Sequence, residues 1–173
     1  MPFKTGPNAS LGVAALSGTP AGIPDTVAQV PVGTIVTMVD EIQGSGEFIY
    51  LPGVASLAAN DIVLYDLLPS GPTVTRHSNA TGSNSGRPVA VALNALTAVQ
   101  FGWYQISGVA IVNAVAGTAA GPVFASATAG QVSSTVDAGD QIMNARITSA
   151  VGTPAANKSY MTMQRPHVQG QIT

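Results

Sequence analysis

Hydrophobic residues in this chain come in short runs, many of them β-branched, and each run ends at a glycine, a proline or a polar cluster. That pattern predicts successive strands joined by tight turns, because helices need longer apolar stripes at a 3.6-residue period. The densest run is QFGWYQISGVAIVN, residues 100–113, which holds the only tryptophan. On an extended backbone Phe101 and Trp103 share one face while Tyr104 and Ile106 share the other. Both faces are largely apolar, as expected of a strand covered on both sides, so these four residues are core or oligomer candidates. Ser107-Gly108 between the two apolar halves predicts a bulge or sharp bend.

Around this spine the chain divides into an extended arm (residues 1–33), a β-domain (34–164) and a C-terminal tail (165–173). Pro2, Pro7, Pro20, Pro24 and Pro31 exclude a long helix from the arm and interrupt sheet ladders. Its apolar side chains Phe3, Leu11, Val13, Leu16, Ile23, Val27 and Val30 gain from burial, against either this protein's own body or a partner. Residues 34–39 and 46–51 flank Gly44-Ser45-Gly46 as a hairpin. Further strands are expected at 61–67, 74–76, 89–93, 122–126, 131–136, 142–151 and 159–164, with short helical turns at 55–59 and 95–98 and a stop at Arg165-Pro166. A short helix is an alternative for the first half of 142–151. Many short strands with Gly/Pro turns give an all-β fold class, a β-sandwich or barrel.

Charge changes the picture. Only 8% of residues are Asp, Glu, Lys or Arg, and none falls between Arg87 and Asp137; an average soluble domain has about 25%. So neutral a stretch points to surface covered by other chains, the alternative being a neutral, hydroxyl-rich surface. A net charge of −2 with scattered bases leaves no electrostatic footprint for nucleic acid. The absence of cysteine excludes disulfides and thiolate metal sites and fits maturation in a reducing cytoplasm. No signal peptide or membrane span is expected, since glycine, proline and polar residues interrupt every long window.

Candidate chemistry is sparse. His77 and His167 are expected to be surface histidines. Asp137 and Asp140 around a glycine lack the further oxygen ligands of a calcium loop, and Asp40-Glu41 has the setting of a solvated turn. GSNSG at 82–86 places asparagine where a nucleophile elbow needs serine. Trp103 and Tyr104 could form a sugar-stacking platform, although a core aromatic cluster explains them more simply. No catalytic, cofactor-binding or metal-ligating residue is predicted.

The series GRPVAVALNAL (86–96), GWYQISGVAIVNA (102–114), AGTAAGPVFAS (116–126), AGDQIMNARI (138–147) and MQRPH (163–167) resembles the capsid decoration, or cement, proteins of tailed bacteriophages. The resemblance implies a compact β-domain on the outer surface of an icosahedral head, made in the host cytoplasm and commonly a homotrimer near threefold positions. It implies the major capsid protein as partner and a structural role without enzyme activity, cofactor, nucleic acid or membrane. The arm matches no family motif. Its residues Phe3, Lys4, Leu11, Val13, Leu16, Ile23, Val27 and Val30 are capsid-contact candidates from the burial argument alone. The alternative function is a carbohydrate-binding, adhesin-like β-module.

Overall fold

The alternation in residues 34–51 folds as the expected hairpin, β2 (Ile35–Asp40) against β3 (Gly44–Pro52), with Val36 opposite Phe48 and Met38 opposite Gly46. The computed structural model describes residues 4–5, 24–40, 43–79, 86–136 and 140–169. Among them the regular elements are all strands, joined in one curled, antiparallel, 11-stranded sheet. The remaining strands are β1 (Lys4–Thr5), β4 (Ile62–Leu68), β5 (Gly71–Arg76), β6 (Val89–Ala92), β7 (Phe101–Asn113), β8 (Gly121–Ala125), β9 (Val132–Ser133), β10 (Gln141–Ile147) and β11 (Lys158–Val168).

The spine predicted from sequence is β7, and the sheet branches on it. One edge of its first half pairs with β3, from Pro52↔Phe101 to Glu47↔Ser107. The opposite edge takes β6 at Tyr104 and Gln105, then β11 from Ser107 to Asn113. The main path is β1-β2-β3-β7-β11-β10-β8-β9, while β4 and β5 attach through β6.

Strand alternation sends side chains into separate cores. In β4, Ile62 and Leu64 join one cluster with Val89, Val91, Val112 and Ile147, whereas Val63 joins a second with Ile49, Leu51, Tyr104 and Ile106. In β3, Phe48 and Tyr50 point the other way from Ile49 and Leu51, into a third cluster with Met38 and Trp103. Each such fully buried aliphatic or aromatic side chain contributes about 1.5–3 kcal/mol relative to exposure. Both faces of the first half of β7 are therefore covered, whereas its second half buries every other side chain. Much of the charge-free stretch is this protein's own interior, since β6, β7 and β8 supply Ala90, Tyr104, Ala110, Val123 and their neighbours to the cores. Burial within this chain thus accounts for part of the missing charge.

Of the arm, residues from Pro24 onward lie on the body. Asp25 and Phe101 exchange backbone hydrogen bonds (3.0 and 2.8 Å), and Val30 and Val32 pack on the third cluster.

Three local expectations differ. Residues 55–59 and 95–98 are turns, not helical turns. Leu57 and Leu96 bridge each other and anchor both segments in the second core, while Ser56 (φ 61°) and Asn60 (φ 68°) take left-handed backbone that a helix excludes. The strands expected at 131–136 and 142–151 are shorter, β9 spanning two residues and β10 ending at Ile147. Arg165-Pro166 does not end the last strand. β11 leaves β7 after Gln164↔Ser107, bulges, and continues beside residues 86–88, with Pro88↔His167 and a 3.0 Å bond from the Val168 amide to the Arg87 carbonyl. Proline lacks an N–H, and the bulge places it where the ladder asks for none.

Candidate functional site

At that bulge three positions of unusual backbone meet. β10 and β11 pair at Met143↔His167 and again at Ala145↔Met163, leaving Asn144 alone against residues 164–166. Asn144 (φ 58°) and Arg165 (φ 46°) are left-handed without being glycine, each costing about 1–3 kcal/mol that surrounding structure must offset. On β7, Gly108 (φ 98°) follows a register shift that leaves Ile106 as the extra residue. A Cβ on Gly108 would lie 2.6 Å from the Ser45 carbonyl oxygen, so the close approach of β3 and β7 requires glycine. The buried Gln105 amide fixes this bulge, Nε2 donating to the Ser107 and Val109 carbonyls at 3.0 Å each.

These bulges shape an open groove of about 870 Å³ across the outer face of β7, β11 and β10. Asn144, Arg146, Thr148, Thr162, Gln164 and Arg165 give it polar walls, and none of its lining residues is acidic or aromatic. Arg165 is fixed from outside. Its guanidinium grips Glu47 in fork geometry, Nε to Oε2 at 2.9 Å and Nη2 to Oε1 at 3.0 Å, and this hydrogen bond holds the Glu47 carboxyl below its ordinary range. Arg146, exposed and paired in register with Thr162, has no carboxylate partner among the described residues.

Other ionisable side chains serve as ties. Asp61 is buried and accepts from Arg76 Nε (2.8 Å), Asn113 Nδ2 (2.9 Å) and the Ala58 amide (3.0 Å). Lys158 Nζ donates to Asn113 Oδ1 at 2.8 Å, so the network joins β5, β7, β11 and the start of β4. Gly130 packs so tightly on Asp61 that a Cβ there would sit 2.4 Å from its Cγ. The sequence gives this network no local signal, its members being spread from 61 to 158. Arg87 pairs with Asp66 at 2.5 Å.

Both histidines depart from the surface role expected of them. His167 is half-buried within β11. His77 is wholly buried and both ring nitrogens lack a hydrogen-bond partner among the described residues; burial first, then the Arg87 charge, push it down to about 4. Within the 77–87 segment expected to be an exposed loop, His77 and Ser78 are buried, and residues 80–85 lie outside the described residues.

Trp103 and Tyr104 are buried, so they form no platform for a sugar. Trp103 lies 5.1 Å from Tyr50, which also stacks on the half-buried Phe101 at 6.2 Å, and Ile106 is interior. Among the capsid-contact candidates, Val27 is exposed, Val30 packs inward, and the backbone of Lys4 pairs with Val39. Phe3, Leu11, Val13, Leu16 and Ile23 lie outside the described residues, as do Asp137 of the acidic turn and Glu41 of the Asp40-Glu41 pair.

No family model, curated protein or solved structure matches the chain.

Proposed function

We propose that this protein decorates and cements the head of a tailed bacteriophage, binding the outer surface of the major capsid protein lattice as a homotrimer. The observation that carries this reading is an exposed aliphatic patch. Ile35 and Val39 stand out from β2 at 45% and 42% exposure, and Leu67 and Leu68 crown the β4–β5 turn at 54% and 51%. Leu67 reaches the start of β2, since a Cβ on Gly33, two residues before Ile35, would be 3.5 Å from both Leu67 methyl carbons, and Val39 lies farther along the same strand face as Ile35. Aliphatic groups clustered on an outer face favour contact with another protein surface. The ion pairs Asp61–Arg76, Asp66–Arg87 and Glu47–Arg165 meanwhile hold this chain together.

In this role the protein performs no reaction and needs no cofactor. It binds the assembled shell in preference to free subunits and so raises shell stability by mass action, with many equal sites adding up. The test is co-sedimentation with expanded heads, alongside mass photometry of the purified protein. Binding to expanded heads by a trimer, weakened by Leu67→Asp with Leu68→Asp, is the expected result. A monomer that never sediments with heads overturns the reading.

A further inference from the structure

From the groove between β7, β11 and β10 we infer a docking site for an extended, acidic segment of a partner protein, with Arg146 as the principal recognition residue. The inference does not rest on the decoration reading. Its first support is charge. The chain carries a net charge of −2, yet this groove is lined by two guanidiniums and no carboxylate. Arg76, Arg87 and Arg165 each hold a carboxylate of their own chain, whereas Arg146 projects into the groove with none among the described residues. A guanidinium presents a planar fork of donors matched to a carboxylate, and Arg165 on Glu47 displays that geometry at the groove's end.

The second support is the shape of the lining. Asn144, Thr148, Thr162 and Gln164 bring amides and hydroxyls that can pair with the backbone of an extended segment lying along the strands. A volume of about 870 Å³ suits several residues of such a segment better than a lone anion. The lining offers no aromatic ring on which a sugar would stack.

The third support is the backbone. Asn144 and Arg165 keep left-handed angles flanking the groove, and the bulge between them turns residues 164 and 165 of β11 outward. Held strain of this kind gathers where a surface is shaped for a ligand.

The experiment titrates the isotopically labelled full chain with a hexaglutamate peptide and follows backbone amide resonances. The expected result is saturable shifts at residues 144–148 and 162–165, weakened about three- to fivefold by Arg146→Gln, the scale of one exposed ion pair, and only partly recovered in Arg146→Lys, which keeps the charge and loses the fork. Because Arg146 is exposed, the Gln variant keeps the fold, which its unperturbed spectrum elsewhere verifies. Absent shifts, shifts indifferent to Arg146→Gln, or the same shifts produced equally well by inorganic phosphate each overturn the proposal. Hexaglutamate binding leaves head binding untested, so this site and the decoration reading stand or fall separately.

Discussion

The Tyr50 hydroxyl donates to Asp25 Oδ2 at 2.5 Å, across 25 positions of sequence, and itself accepts from the Gln29 backbone amide at 3.3 Å. One phenol thereby fastens the end of the proline-rich arm to the third core. Burial first, then the Asp25 hydrogen bond, push the Tyr50 hydroxyl up to about 12. A tyrosine whose folded pKa is raised contributes stability that is complete below the unfolded value near 10 and lost as pH climbs toward 12. Urea unfolding should therefore show falling stability across that window. Tyr50→Phe should cost about 1 kcal/mol at neutral pH and flatten part of the alkaline decline.

His77 sets an acid limit of opposite origin. Its folded pKa is depressed, so the unfolded chain takes up a proton between pH 6.5 and about 4 that the folded chain refuses. Stability is complete above the unfolded value and falls as pH drops through this window. His77→Leu should flatten that slope, followed as melting temperature against pH. At neutral pH it should be close to neutral or stabilising, because no hydrogen bond to the described residues is lost and two buried polar nitrogens leave the interior. Glu47 adds a separate loss at lower pH, below its ordinary value of 4.5, and Arg165→Gln should remove it.

Asp61 should be the most sensitive ionisable position. Asp61→Ala takes a buried carboxylate from the half-buried Arg76 and Asn113 and from the Ala58 amide and is expected to cost about 1.5–3 kcal/mol, measured by denaturant midpoint. Gly130→Ala presses on the same carboxylate and adds strain at φ 87°, so it should also destabilise strongly. The two losses should not add, since they act on one contact.

At the β7 bulge, Gly108→Ala should cost about 2 kcal/mol or more, from left-handed strain plus the clash with Ser45. Gln105→Leu should cost about 1–3 kcal/mol by leaving the Ser107 and Val109 carbonyls unpaired. Thermal melts of both variants check this, and groove resonances should shift in each.

Trp103 fluorescence gives the simplest check on the aromatic cluster. Being buried beside Tyr50, it should emit at short wavelength, resist acrylamide and ignore added glycans.

Period-two alternation made the strands legible, because a residue such as Tyr104 or Ile106 has only one way to reach a core from an extended backbone. The Ser107-Gly108 bend was legible for a similar reason, glycine being the residue that tolerates the required angle. What escaped was non-local. Arg165-Pro166 looks like a stop in isolation, and only the arrival of residues 86–88 alongside gives β11 a new neighbour. His77 sits in a polar stretch, yet the turn around Gly130 closes over it, with the Gly130 amide bonded to the His77 carbonyl at 2.8 Å. The groove needs the β7 and β11 bulges to coincide beside the left-handed Asn144 of β10, and local composition carries no trace of that.

Since β7 threads every core, its first half lining two clusters and its second half the other, neither lobe has a private backbone. Heat or denaturant should then dismantle the molecule in a single step, and a fragment ending near residue 108 would forfeit both halves instead of keeping one.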